Sequence, residues 1–223
     1  MAIIQSGVDS SLLTVDPTFK AARVTVRAPE GVGYYQLGAV SGNLTNTTVV
    51  ANGSLFSMRW APGNSKLAVI RRVTVNFVQT VGWTAAAAQP IGLYIARSWT
   101  VSDSAGTAVT IAGNTNKMRS TNDPSLFALP SDVRIASTAT LTAGTRTLDT
   151  NPIAVGLIAA SQVAAASGNY PQQTITLHDV NTGDHPIVLD NNEGIVLNNM
   201  IVWPAAANGL ISVSVEWFEA SAY

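Results

Sequence analysis

The chain reads as an all-β protein, an antiparallel two-sheet sandwich of jelly-roll type, and three observations carry that expectation. The run Leu210-Ile211-Ser212-Val213-Ser214-Val215-Glu216-Trp217 alternates apolar and polar residues with a period of two, the mark of a strand with one buried face. Among 223 residues there are 24 Val, 14 Ile and 23 Thr, so more than a quarter of the chain is β-branched and favours a pleated surface over a helix. The alternating pattern recurs between turn residues, with no convincing amphipathic helix separating its copies.

Residues 1–21 have scattered apolar positions, Pro17 and no period, and are expected to form an extended arm; residues 22–223 are expected to form one domain. Alternation begins at Arg23-Val24-Thr25-Val26-Arg27, which puts both valines inward and both arginines outward. After the glycine-rich break Gly31-Val32-Gly33, strands are expected over 34–40, 55–60 and 67–78, the last two separated by the turn Ala61-Pro62-Gly63-Asn64. In 67–78, Val73, Val75 and Phe77 share one face and Arg72, Thr74 and Asn76 the other, which makes this the central strand. Ala85–Ala88 offers a short helix start, but Pro90 and the following Ile91–Arg97 favour a strand. Further strands are expected over 107–111, 133–141, 153–160, 173–177, 186–189, 193–203 and 209–218. The polar segment 113–131, with Pro124 and Pro130, is too long for a tight turn and is expected to be an exposed contact loop. No fixed-period repeat occurs, which argues against a propeller or solenoid.

Charged residues make up only 11% of the chain, against roughly a quarter in an ordinary soluble domain. A surface made instead of Ser, Thr, Asn and Ala suits contact with other protein. All 12 Lys and Arg lie at or before Arg146, and only acids follow it, a polarity that strand pairing between the two halves would cancel. With no cysteine, neither a disulfide framework nor a thiolate site is possible. The N-terminal residues lack a signal-like pattern and no stretch approaches the roughly 18 apolar residues of a membrane span, so a soluble chain made in the cytoplasm, with no membrane partner, is expected.

The chemical constellations are sparse. His178 and His185 flank Asp179 and Asp184 around what reads as a hairpin, a set able to hold a divalent metal if the strands face each other, though Asn-Thr-Gly-Asp is also ordinary turn chemistry. The cluster Asp190-Asn191-Asn192-Glu193-Gly194 lacks the alternate-residue spacing of a calcium loop and reads as a connector. No nucleophile elbow or phosphate-binding glycine loop is present, so neither an enzymatic activity nor a cofactor is expected. Arg23, Arg27, Arg59, Arg71 and Arg72 lack interleaved aromatics, and no nucleic-acid partner is expected. The five tryptophans supply rings for sugar stacking, with Trp217 in the core series and Trp83 and Trp99 at strand ends where they could be exposed.

Three segments carry a family resemblance: Leu93-Tyr94-Ile95-Ala96-Arg97-Ser98-Trp99-Thr100-Val101-Ser102-Asp103-Ser104, then Arg134 through Arg146, and Pro186-Ile187-Val188-Leu189-Asp190-Asn191-Asn192-Glu193-Gly194-Ile195-Val196-Leu197. Over about residues 35–220 the chain resembles virion structural proteins of tailed bacteriophages. The resemblance implies a β-sandwich subunit present in many copies on the particle, a decoration or cement protein of the outer head surface or else a tail-associated or receptor-binding protein. Its implied partners are the major capsid protein and copies of itself, a trimer foremost. The residues expected to make those contacts are Phe19, Arg23 and Arg27 near the arm and Arg119 and Asp123 in the long loop.

Overall fold

The computed structural model describes residues 33–221 except 64–65, 82, 84–86, 112–114, 128–131 and 161–171. The expected arm over 1–21 and the expected strand at 23–27, with Phe19, Arg23 and Arg27, lie outside the described residues. In chain order the strands are β1 (Gly33–Val40), β2 (Leu44–Thr45), β3 (Gly53–Trp60), β4 (Leu67–Val81), β5 (Ala87–Val101), β6 (Thr107–Ala108), β7 (Val133–Ile135), β8 (Thr145–Leu148), β9 (Ala154–Ala160), β10 (Gln173–Asp179), β11 (Ile187–Leu189), β12 (Glu193–Asn199) and β13 (Asn208–Ala220).

They form two antiparallel sheets, the sandwich expected from the alternation. One runs β1-β13-β4-β10, with β11 also on β4 and β2 on β13; the other runs β6-β7-β3-β12-β5-β8, with β9 on the remaining length of β5. Eight longer strands, β1, β3, β4, β5, β9, β10, β12 and β13, pair first with last, second with seventh, third with sixth and fourth with fifth. One antiparallel ribbon, folded at β5–β9 and wrapped over itself, gives that set of pairs.

The faces follow the period of two. Ile211, Val213 and Val215 of β13 stand opposite Phe77, Val75 and Val73 of β4, and all six are buried. The facing sheet adds Phe56, Met58, Leu93, Ile95, Ile195 and Leu197 to the same core. Between Glu216↔Arg72 and Trp217↔Ile70, β4 carries one extra residue, Arg71, so Val73 and Ile70 both stay in the core with Val215 and Trp217, while Phe218 packs with Val69 and Ala220 in a separate cluster. On the outer face of the second sheet, Ala96, Trp99 and Val196 make a small separate cluster under Leu148.

Several expectations need correction. The segment 178–185 is not a hairpin: β10 and β11 both pair with β4, one after the other, and the intervening residues bulge outward through a 3-10 turn, Val180–Thr182, ending at left-handed Gly183. The favoured strand reading after 85–88 stands, since β5 begins at Ala87 and runs through Pro90, while residues 85 and 86 lie outside the described residues. Pro90 is tolerated because β12 pairs no further along β5 than Ile91, so its missing N–H has no ladder partner to lose. The strand expected over 133–141 shrinks to β7, while β2 and β8 arise where none was expected.

Candidate functional site

A cleft of about 510 Å³ opens beside the β10–β11 bulge, lined by Ile95, Arg97, Leu177, His178, Asp184 and His185 among others. It gathers both histidines, but the bulge itself uses the acids. Asp179 accepts from the Asn181 N–H at 2.8 Å and from the Asn181 side-chain amide, and Asp184 Oδ2 accepts from the Asp179 N–H at 3.0 Å. His178 Nδ1 lies 3.6 Å from Asp184 Oδ2, beyond hydrogen-bond distance, and burial pushes the imidazole below its ordinary value against the pull of Asp184. His185 is exposed, and among the described residues no three His, Asp or Glu side chains are grouped to hold a metal. Of the four metal candidates the fold thus brings His178 and Asp184 together, spends Asp179 on turn capping and leaves His185 at the rim.

Residues 115–127 of the long loop are fastened to their own domain rather than left as a free contact loop. Gln36 N–H donates to Asn116 O at 3.0 Å and Met118 N–H to Tyr34 O at 2.9 Å, so this segment pairs with the outer edge of β1. Tyr35 Oη donates to the Asp123 carbonyl at 2.8 Å. Phe127 packs on Trp60 and Trp217, with ring centroids 4.7 and 5.4 Å away. Buried Glu219 accepts from Ser125 Oγ at 2.6 Å and from Leu126 N–H at 3.0 Å. Burial drives its carboxyl above the ordinary glutamate value, opposed by those hydrogen bonds. Arg119 and Asp123 are exposed on the outward side of this fastened segment.

Ion pairs join the acid-only C-terminal part of the chain to the earlier arginines, as strand pairing allows. Arg72 of β4 meets Glu216 of β13, and Arg97 of β5 meets Glu193 of β12 at 2.6 Å and Asp149 at 3.4 Å. The asymmetry that survives runs along the strands instead.

At the Asn208 end of β13, which pairs with Thr45 of β2, lie the connections 41–52 and 200–207, while in the sequence 82–86 join β4 to β5 and 161–172 join β9 to β10. None contains an Asp, Glu, Lys, Arg or His, and no such residue occurs in 73–96, 150–177 or 194–215 either. At the opposite end the connections carry Lys66, Lys117, Arg119, Asp123 and Asp190, and also Asp103 and Asp132, both buried against arginines.

The charge-free end is firmly built. Trp83 and Trp203 pack on each other and on Phe77, with centroids 5.4 to 6.0 Å apart. Asn199 Oδ1 accepts from Trp203 Nε1 at 3.1 Å, and its amide nitrogen donates to the carbonyls of Val50 and Ile201, tying the 41–52 and 200–207 connections together. Asn46 N–H donates to Ala207 O at 2.9 Å and Thr80 Oγ1 to Asn43 Oδ1 at 2.7 Å. Over this frame Val50 and Val202 are 53% and 57% exposed, with Val40, Val81 and Ile201 also exposed. An uncharged, apolar surface can bury area against another protein without desolvating ions. The alternating pattern concealed this surface, because its signal is the absence of charge from long runs that fold back to one end.

Trp60, Trp83, Trp99, Trp203 and Trp217 are all buried, which corrects the expectation that Trp83 and Trp99 could be exposed and leaves no tryptophan ring free to stack on a sugar. No protein-family model matches the chain and no curated protein matches it.

Proposed function

We propose that the protein is a non-enzymatic virion structural protein, a bacteriophage head decoration protein that docks on the major capsid protein through its charge-free end. The observation that carries this reading is the separation of an uncharged end, with Val50 and Val202 projecting, from an end that holds the loop charges. Interface centres are depleted of charge, and a subunit repeated over a lattice gains from a contact that needs no counter-charge at each site. We also infer that the sandwich is a jelly roll, which the pairing of first with last and second with seventh long strand supports. The capsid-facing surface is then the end with Val50 and Val202, in place of Arg119 and Asp123, and the charged end faces solvent on the outer head surface.

The test is rebinding of the purified chain to particles stripped of it. The reading predicts co-sedimentation that changes little between low and high salt, because few ion pairs form. Val50→Lys with Val202→Lys is predicted to weaken binding by about tenfold or more while the fold survives, since both positions are exposed. Failure to bind, or binding abolished by salt, would contradict it.

A further inference from the structure

We infer that β9 is an interface strand that pairs edge to edge with β9 of a second copy of this chain. β9 reads Ala154-Val155-Gly156-Leu157-Ile158-Ala159-Ala160, and among the described residues it pairs only with β5. Its inner side packs inside the sandwich: a side chain at Gly156 would meet Ile175 and Leu177 at 2.6 and 3.0 Å. Its outer side does the reverse of what a soluble strand does, for Ile153, Val155 and Leu157 are 48%, 50% and 63% exposed.

Among the described residues, no strand pairs with the other backbone edge of β9, although β10 packs close to it. Ala159 N–H donates to Gln173 Oε1 at 2.8 Å and Ala159 O accepts from the same amide, so a side chain fills the place of a neighbouring strand there. Groups two residues apart point the same way, so the N–H and C=O of Leu157 and Val155 face that edge too. Pro90, opposite Leu157, turns its carbonyl the other way to the Met200 N–H at 3.0 Å, so this pair makes no hydrogen bond between β5 and β9. At the other limit Ile153 N–H turns inward to Leu93 O at 2.8 Å. Among the described residues, the stretch of this edge left unpaired is therefore Val155 and Leu157, centred on Gly156.

Natural edge strands are blunted by lysine, proline or a bulge, and β9 has none of these. The occupant this edge fits is a copy of itself. A two-fold axis through Gly156 sets Val155 of each copy opposite Leu157 of the other, which forms four backbone hydrogen bonds and brings the two apolar side chains together. No Asp, Glu, Lys or Arg lies between Thr150 and His178, so a second copy buries no charge and meets no like charge, whereas a charged partner would find no counter-ion. The contact closes at two copies; the trimer expected from the family resemblance would need a different surface. The inference does not rest on the virion reading and stands or falls separately from it.

Sedimentation velocity of the full chain tests it, with a dimer expected for the wild type and a monomer for Leu157→Lys, whose fold is checked by circular dichroism. Because the chain has no cysteine, register can be read directly: mixed Val155→Cys and Leu157→Cys proteins should form the disulfide between them, at a Cα separation of about 5.5 Å, more readily than either alone. A monomeric wild type, an oligomer untouched by Leu157→Lys, or equal cross-linking by Val155→Cys alone would overturn the inference.

Discussion

Arg146 Nε lies 2.9 Å from Asp103 Oδ1 with both side chains almost fully buried, and the guanidinium sits 4.9 Å over the ring of Trp99. Arg146 Nη2 also donates to Asp103 Oδ2 at 3.0 Å and to Ser54 Oγ at 2.9 Å, while Gly144 N–H donates to Asp103 Oδ1 at 2.8 Å. This pair fastens β8 and the turn before it to the outer face of the second sheet. A buried ion pair owes its place to geometry, because removing one partner leaves the other charge without compensation. Asp103→Ala is therefore expected to cost about 3–5 kcal/mol in denaturant unfolding, and Asp103→Leu combined with Arg146→Met much less than the sum of the two single changes.

Gly144 supplies a sharper test of the same turn. A side chain there would stand 1.9 Å from the Val101 carbonyl and 2.6 Å from that of Ser102, and both obstacles are backbone. Gly144→Ala should lower the urea midpoint by an amount equivalent to about 2 kcal/mol or more, whereas Gly38→Ala, where nothing lies within 4 Å, should change it by less than about 1 kcal/mol.

Phe127 is the hydrophobic peg of the segment that covers the edge of β1. Phe127→Ala should cost about 3–5 kcal/mol and, in hydrogen exchange, expose amides such as Gln36 and Met118 before those of β4. Equal protection of all these amides in the variant would show that the backbone pairing alone holds the segment.

Glu219 gives that attachment a pH dependence. Its folded carboxyl titrates above its ordinary value because it is buried, with Lys66 and the donors Ser125, Trp217 and Leu126 acting against burial. The folded protein thus binds the proton more tightly than the unfolded chain. The resulting stability is present below the ordinary glutamate value near 4.5 and is lost as pH rises through the folded value. Compared with Glu219→Gln, the wild type should lose stability across that interval, by about 1.4 kcal/mol for each unit of displacement, as measured by denaturation at a series of pH values.

The alternation of Leu210–Trp217 and of Val73–Phe77 made the sheets legible, because one buried face against one wetted face leaves a period of two in the sequence. β8, Thr145–Leu148, was hidden because one of its two inward residues is Arg146, whose burial depends on an aspartate 43 positions away. The segment 178–185 misled because turn chemistry in Asn181-Thr182-Gly183-Asp184 fits an outward bulge as well as a hairpin; only the shared pairing of β10 and β11 with β4 decides between them. Strand 153–160 was legible as a strand but not by face, since its apolar residues run on both sides and Gly156 marks the inner one. The contact residues sought among arginines and aspartates were drawn from the charged minority, while the surface with the clearest docking chemistry carries no charge at all.

Cryo-electron microscopy of purified particles tests the central claim most directly. The account predicts density for this chain at regular positions on the outer head, with the end bearing Val50 and Val202 against the capsid shell and Arg119 and Asp123 toward solvent. Absence of the chain from the head lattice, or attachment through the charged end, would contradict it.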